Sequence, residues 1–414
     1  MKQENTAPLA SDVRRKILPL LCLCSFGTLF SFRAISPILV DISQEFGITV
    51  AATGSLGAAY SLPAVLLALF FGPISDRYGR RPLILMGQGI LILSSIGSML
   101  APSFIFLFLC RILAGLGAAA VSPSISAAIG DYFPYSERGR AYGWLISSTT
   151  MAIVVGVPAG SILAGSFSWR WMFGLLTLVF LAVMILMIFH LPAERRTEPS
   201  PDIGFATVLS GFKQIFRVRS AAAALLSTIF FGIFWYGWGT YNGAFFIQTL
   251  GISTEDLAPI FTLQGLAILS ASQIGGLLSD RFTKKSLAVT AMIAGGVVMA
   301  LLTHFGNTYW LAITLNTLMS IPTGLRFVSG SALLSELTPT ARATFLSFNA
   351  SAQEMGSMMG ASLGGLVLGS FAGYGLLGIS FAMAAFLAAL ILHFFVVEAG
   401  LLKATEDVLN EGRG

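Results

Sequence analysis

The sequence predicts an all-α membrane protein of twelve transmembrane helices, arranged as two related six-helix bundles. Three observations support this prediction. Hydrophobic residues make up 55% of the 414 residues and charged residues only 10%, whereas soluble domains usually carry about 25% charged residues. Apolar runs long enough to cross a bilayer recur along the whole chain. Motifs of the first half also return in the second half at a nearly constant offset.

Twelve apolar runs are long enough to cross about 30 Å of hydrocarbon at about 1.5 Å per residue. In the first half they cover residues 17–40, 51–71, 83–101, 104–129, 142–164 and 171–191, and in the second half residues 221–248, 257–278, 287–305, 309–334, 345–369 and 375–397. The first run lacks a small-residue cleavage site, so we expect a retained span and not a signal peptide. Glycine and proline inside the runs are compatible with membrane helices, because neighbouring helices satisfy the freed backbone groups.

The distribution of basic residues predicts a multi-pass protein of the cytoplasmic (inner) membrane with both termini in the cytoplasm. With the N-terminus inside, twenty Lys and Arg residues fall in cytoplasmic segments and only Arg170 falls on the opposite side. Such an excess sets the orientation of membrane proteins. The chain then divides into a tail (1–16), a first bundle (17–191), a linker (192–220), a second bundle (221–397) and a second tail (398–414). Apolar residues at helical spacing beside basic ones predict an interfacial helix in the linker.

A repeated loop motif relates the two halves. The sequence GPISDRYGRR at residues 72–81 returns as GLLSDRFTKK at residues 276–285, and Asp131 matches Glu336 at nearly the same offset. Six spans per half give both halves the same orientation, related by an axis along the membrane normal. We expect two such bundles to leave a cleft between them that can open to either side.

With these loops, the chain resembles the major facilitator superfamily over nearly its whole length. The signature of that family falls between its second and third helices, where GPISDRYGRRP stands here. The resemblance implies a transporter that works by alternating access, in which this loop latches the cytoplasmic face when the transporter is open to the outside. The residues to which it assigns this gating role are Gly72, Asp76, Arg77, Gly79, Arg80, Arg81, Asp280 and Arg281. The alternative is that these charges only enforce orientation.

Two further motifs resemble those of proton-coupled members of the family. Arg111 in RILAGLGAAA, on the fourth span, is similar to the arginine linked to proton transfer in those members. The segment GVPAG on the fifth span, with Gly156, Pro158 and Gly160, resembles the glycine–proline motif of proton-driven drug and sugar exporters. Many of those exporters have Gly-Pro where this chain has Gly-Val-Pro. The resemblance implies efflux driven by a proton gradient.

Charged residues inside the spans are the candidates for proton coupling. Placing a charged side chain at mid-bilayer costs at least about 2.5 kcal/mol. We therefore treat each such residue as a functional candidate and expect it to have a partner. Glu354 is the carboxylate that lies well inside a span, the eleventh. We predict that it carries the coupled proton and either pairs with Arg326 of the tenth span or shares a water-filled pocket with it. The alternative is a static structural ion pair.

Arginine side chains predict the character of the solute. Arg33 and Arg111 lie on spans that line the central cavity in the resembling family. If they face this cavity together with Arg326, its charge favours an anionic or polar-acidic solute over a cation. The seventh span carries a stripe of aromatic residues at helical spacing. This stripe could stack a substrate, and ordinary helix packing explains it equally well. The further candidate cavity residues are Tyr60, Trp235, Trp238 and Asn242.

The sequence contains no GxxxxGK[ST] phosphate-binding loop, no metal-ligand cluster and no hydrolase nucleophile elbow. We therefore expect no cofactor, no metal, no nucleic acid partner and no enzymatic activity. The expected energy source is a proton gradient and not ATP. The leading interpretation is proton-coupled efflux of a small, anionic or amphipathic organic solute by a monomer. The alternatives are proton-coupled uptake of an organic anion and a non-transporting solute sensor with the same fold.

Overall fold

The computed structural model describes residues 11–192, 218–279, 281–337, 342–371 and 373–397. Within these ranges the chain is almost entirely helical, and no strand occurs. The all-α membrane fold predicted from the apolar runs is therefore confirmed. The predicted interfacial helix of the linker, the predicted second tail and residues 1–10 of the predicted first tail lie outside the described residues.

The helices of the first half follow the predicted spans. They are Ser11–Arg33 and Ile35–Glu45 in the first span, Val50–Thr53 and Ser55–Tyr78 in the second, Arg80–Met99 in the third, Phe104–Tyr132 in the fourth, Tyr135–Met151, the π-helix Ala152–Gly156 and Val157–Ser166 in the fifth, and Arg170–His190 in the sixth. The first span is interrupted at Ala34. Pro37 lacks the N–H that would bond to the carbonyl of Arg33, which accounts for this interruption.

The second half contributes Arg219–Leu250, Leu257–Ser279, Lys284–Phe305, Tyr309–Leu337, Arg342–Phe371 and Tyr374–Phe395 as the seventh to twelfth spans. Among the described residues, 11 helical segments are long and apolar enough to cross a membrane. The eleventh span is not among them. Its helix has 30 residues, ample for a crossing, but it carries polar groups that include Asn349, Gln353 and Glu354.

The described helices form two compact units. The first contains the first six spans together with Gly239–Gly265, which are the second part of the seventh span and the beginning of the eighth. The second contains the seventh span up to Trp238 and the chain from Leu266 onward. The division into bundles at residues 17–191 and 221–397 stays a prediction.

Close backbone packing occurs within both units. In the first unit a Cβ on Gly115 would lie 1.8 Å from the carbonyl oxygen of Tyr60. In the second unit a Cβ on Gly356 would lie 2.3 Å from the carbonyl oxygen of Ile229. Glycine at these positions lets the second and fourth spans, and the seventh and eleventh spans, approach each other without a side chain between them.

Candidate functional site

The SDRYGRR loop joins the second span to the third through a single residue. Asp76 and Arg77 lie in the last turns of helix Ser55–Tyr78, which also contains Gly72, and the next helix begins at Arg80. Gly79 stands between them with a φ of 94°. A residue with a side chain is strained at this angle, so the turn favours glycine.

An ion pair braces this loop against the end of the fourth span. Arg80 donates from Nε to Oδ2 of Asp131 at 2.8 Å and from Nη1 to Oγ of Ser75 at 3.0 Å. Arg81 donates from Nη2 to the carbonyl oxygen of Ile188 at 2.9 Å. These bonds connect the ends of the second, third, fourth and sixth spans on one side of the first unit.

The same brace recurs in the second unit. Lys284 at the beginning of the ninth span forms an ion pair with Glu336 near the end of the tenth. The sequence repeat matches Arg80 with Lys284 and Asp131 with Glu336, so repeated residues make equivalent contacts in the two halves. Arg281 lies on the surface of this loop, and the predicted gating residue Asp280 lies outside the described residues. The gating role of these loops stays a prediction.

Arg111 holds the first span just before its interruption. Its side chain is 1% exposed, its Nη2 donates to the carbonyl oxygen of Ser31 at 2.9 Å, and its guanidinium carbon lies 4.7 Å from the centre of the Tyr60 ring. The Tyr60 hydroxyl in turn donates to the carbonyl oxygen of Thr28 at 3.1 Å. Arg111 and Tyr60 therefore both bind backbone carbonyls of the first span. Proton transfer by Arg111 stays a prediction.

Arg33 packs against the second part of the seventh span. The side chain is buried, and a Cβ on Gly239 would lie 1.5 Å from its Nη1, so the guanidinium occupies the place of a side chain at that position. Asn242 lies one turn further along, fully buried, and its Nδ2 donates to Oε1 of Gln264 at 3.3 Å. The structure thus brings two of the predicted cavity residues, Arg33 and Asn242, to the same part of the first unit.

Hydrogen bonds join the segment Gly239–Gly265 to the first and fifth spans at the end opposite to the SDRYGRR loop. The amide of Gly243 donates to Oγ of Ser36 at 3.2 Å. The hydroxyl of Thr254 donates to Oδ2 of Asp41 at 2.8 Å, and the hydroxyl of Thr262 donates to the carbonyl oxygen of Val154 at 3.2 Å. Ser161 also donates to the carbonyl of Thr254. We refer to the contacts of Gly243, Thr254 and Thr262 as the distal seal.

The GVPAG motif supplies one acceptor of the distal seal. Pro158 has no N–H for the carbonyl of Val154, and the preceding segment Ala152–Gly156 is π-helical. The freed carbonyl is the one that accepts from Thr262. Sequence reasoning singled out this motif by resemblance alone, whereas the structure gives its proline a physical role.

The two glycines of the motif allow close packing of the fifth span. A Cβ on Gly156 would lie 3.0 Å from the Phe30 ring, and a Cβ on Gly160 would lie 2.0 Å from Sδ of Met172. A larger residue at either position would push the fifth span away from the first or the sixth.

Arg326 lies near the middle of the tenth span and is 5% exposed. Its guanidinium carbon lies 5.0 Å from the centre of the Phe231 ring, and its Nη1 occupies the place that a Cβ on Gly330 would take. Within the described ranges Arg326 forms no ion pair, and its Nε has no hydrogen-bond acceptor. The guanidinium is directed to Phe231 and Gly330, and the pairing with Glu354, or a water-filled pocket shared with it, stays a prediction. Glu354 itself is half-buried.

A small cavity borders the Arg326 side chain in the second unit. Its lining residues come from the seventh, tenth and eleventh spans, and they are Thr228, Phe231, Arg326, Phe327, Ser331, Leu334, Asn349 and Gln353. The open space measures about 10 Å³. We refer to it as the Arg326 cavity.

The aromatic stripe of the seventh span packs inside the protein. Trp235 and Trp238 are both buried, and the Trp235 ring lies 6.5 Å from that of Phe327, edge to face. Tyr241 lies against Gly54, where a Cβ would be 2.0 Å from its hydroxyl oxygen. The helix-packing interpretation accounts for these positions, and substrate stacking by Trp235 or Trp238 stays a prediction.

A large cavity of about 840 Å³ opens between the first and fifth spans, at the end that carries the SDRYGRR loop. Arg14, Arg15 and Arg140 stand among its lining residues, with Trp144 and Phe26 on its apolar wall. Arg14 donates from Nε and Nη2 to the two carboxylate oxygens of Glu137 at 3.1 and 3.0 Å. Sequence reasoning missed this site because the basic residues before the first span were attributed to orientation alone.

Comparisons with known proteins agree with this architecture. The family model described as Major Facilitator Superfamily matches residues 21–263 and 231–408. The chain is 26% identical over 373 residues to the uncharacterized MFS-type transporter YwfA of Bacillus subtilis (strain 168), covering 90% of each chain. It is 21% identical to Multidrug resistance protein 2 of the same organism, covering 80% of this chain and 84% of that one.

Further similarity extends to a Streptomyces protein and to a solved structure. The Chloramphenicol resistance protein of Streptomyces lividans is 26% identical, with 77% of this chain and 79% of that one covered. The crystal structure of a D-xylose-proton symporter superposes with a TM-score of 0.77 at 18% identity, covering 93% of this chain and 98% of that one. At this identity the structural likeness concerns the fold alone.

Proposed function

Because the chain belongs to the major facilitator superfamily of membrane transporters, we propose that it is a proton-coupled exporter of a small organic solute of anionic or amphipathic character. In this proposal it works by alternating access as a secondary transporter of the cytoplasmic membrane, with both termini in the cytoplasm. A proton gradient is the energy source, and no cofactor or metal takes part.

The observation that carries the proposal is the position of Glu354. It lies about 18 Å from the beginning of helix Arg342–Phe371, at about 1.5 Å per residue, and it is half-buried. Apolar surroundings favour the protonated form of a carboxyl group, and water favours the ionised form. A conformational change that alters the exposure of Glu354 would therefore load and release a proton.

Export is supported by the GVPAG motif and by the names of two relatives. The motif resembles that of proton-driven exporters, and its proline frees the carbonyl that takes part in the distal seal. One relative is named for multidrug resistance and another for chloramphenicol resistance. Resistance to a toxic solute is most directly explained by its removal from the cell.

The large cavity supports an amphipathic, anionic solute. Its volume of about 840 Å³ falls within the usual range of ligand pockets, about 300 to 1,000 Å³. The side chain of Arg14 is compensated by Glu137, whereas Arg15 and Arg140 are exposed cations beside an apolar wall that includes Trp144. The exposed arginines would repel a cationic drug at this opening and attract an anion. The apolar wall would contact the apolar body of that anion.

Proteoliposomes loaded with the pH indicator pyranine test the direction and the coupling. The membrane potential is held at zero with potassium and valinomycin, and glycocholate, chloramphenicol or ethidium is added outside. We expect glycocholate to raise the internal pH, because each molecule that enters exchanges for a proton that leaves. Acidification of the interior would instead identify symport, and binding without any pH change would identify a sensor.

Two variants locate the coupling group. Glu354→Gln removes the titratable proton and keeps the size of the side chain, so we expect it to abolish the pH change while glycocholate exchange between equal compartments persists. Asp256→Asn, an equivalent change in the loop between the seventh and eighth spans, serves as the matched control and should behave as the unmodified protein. Full pH coupling in Glu354→Gln would refute the assignment.

A further inference from the structure

We infer that the Arg326 cavity is a carboxylate-binding subsite, in which the guanidinium of Arg326 and the amides of Asn349 and Gln353 bind the head group of an organic anion. The inference deepens the proposed function, because it assigns the chemistry of the solute to a particular place in the second unit.

A buried donor without an acceptor borders this cavity. Arg326 brings five N–H groups, and its Nε has no acceptor in the described part of the chain. The amide oxygen of Asn349 already accepts from the hydroxyl of Thr228 at 2.9 Å, which directs the NH₂ group of Asn349 away from that bond. The Thr228 hydroxyl also lies 3.0 Å from the carbonyl of Ala224. A bound anion would supply the acceptor that the Arg326 Nε lacks.

Burial of Arg326 requires compensation that its protein neighbours do not supply. The side chain is 95% removed from solvent by the protein, and it lies near the middle of a span, where a guanidinium is costly. Its contact with the Phe231 ring is a cation–π interaction, which is weaker than the cost of that position. A bound anion would offset the remainder, since a buried charge is stabilised chiefly by an opposite charge that is also hydrogen-bonded to it.

The planar geometry of the Arg326 guanidinium favours a carboxylate over other anions. The open space of about 10 Å³ is close to that of one water-sized group, so binding of a carboxylate requires the lining side chains to move apart. A planar carboxylate meets the planar guanidinium fork with two parallel hydrogen bonds. A tetrahedral sulfonate of the same charge cannot place all three of its oxygens in the plane of that fork.

Thermal unfolding of the purified full-length protein in detergent tests the subsite without any requirement for transport. Sodium acetate, sodium methanesulfonate and sodium chloride are titrated at constant ionic strength, because their anions carry the same charge and differ in shape. We expect acetate to raise Tm in a saturable manner, with methanesulfonate and chloride binding several-fold more weakly. Equal responses to the three salts would overturn the carboxylate assignment.

Variants of the lining residues locate the effect. Arg326→Gln should lose the acetate response, and Arg219→Gln, at the exposed start of the seventh span, is the matched charge control that should keep it. Asn349→Asp places a carboxylate inside the cavity, so it should raise Tm without added salt and abolish the acetate response. This second variant decides the matter if Arg326→Gln does not fold, because an unchanged acetate response in Asn349→Asp would refute the inference.

The outcomes separate the subsite from the proposed export. Acetate binding in detergent with no proton-coupled flux in proteoliposomes would uphold the subsite and refute the exporter. Unaltered glycocholate flux in Arg326→Gln, together with an unchanged acetate response, would refute the subsite and leave the exporter standing.

Discussion

Substitution of Gly243 by alanine should open the distal seal. A Cβ at this position would lie 2.2 Å from the carbonyl oxygen of Ser36 and 2.9 Å from Cα of Pro37. Both atoms belong to the backbone of the first span, so no side-chain rotation can make room. The methyl group must therefore separate the first and seventh spans, and the bond from the Gly243 amide to Ser36 is lost with that movement.

The expected magnitude follows from the geometry. An added methyl group in a well-packed interior costs about 1 to 3 kcal/mol, and a backbone contact more than 1 Å shorter than an ordinary one of about 3.4 Å places this site in the upper part of that range. If the cost falls only on the sealed conformation, the population ratio of sealed to open forms decreases by roughly 5- to 150-fold.

Cysteine labelling measures this shift. Ala258→Cys in a background without Cys22, Cys24 and Cys110 places a thiol at a buried position of the segment Gly239–Gly265 and keeps every contact of the distal seal. We expect a membrane-impermeant maleimide to label it slowly in the parent and much faster after Gly243→Ala. Gly89→Ala adds a methyl group where no atom lies within 4 Å and should leave the rate unchanged. Equal labelling rates in the parent and in Gly243→Ala would refute the steric reasoning.

Two further predictions concern the distal seal and the repeated brace. Thr262→Val keeps the shape of the side chain but leaves the carbonyl of Val154 without its donor. The sealed form should lose about 1 to 3 kcal/mol, seen as faster labelling of Ala258→Cys, and an unchanged rate would count against a role for this bond. In a double-mutant cycle with Arg80→Gln and Asp131→Asn, the partly exposed pair should contribute less than about 1 kcal/mol to the free energy of unfolding in detergent. A coupling above that value would show that the brace is a major source of stability.

The spans could be predicted from the sequence because hydropathy and length decide them. Each predicted run overlaps an observed helix almost entirely, and the repeat correctly matched Arg80 and Asp131 with Lys284 and Glu336, which form equivalent ion pairs. The candidate site could be predicted only in part. Burial of Arg326 was expected from its depth in the span, but the direction of its guanidinium depends on Phe231 and Gly330, which approach it through tertiary packing.

Contacts between distant segments could not be predicted from the sequence for the same reason. No periodicity indicates that the carbonyl freed by Pro158 would meet the hydroxyl of Thr262, 108 residues away from Val154. The large cavity also depends on the packing of the first span against the fifth, and its arginines were indistinguishable in sequence from residues that set orientation.

The seventh and eighth spans are each shared by the two compact units, and this division has a consequence for the packing of both. The boundaries fall between Trp238 and Gly239 and between Gly265 and Leu266, inside continuous helices with a glycine beside each boundary. Each of these helices therefore contributes residues to both units, and a substitution close to either boundary affects the packing of both.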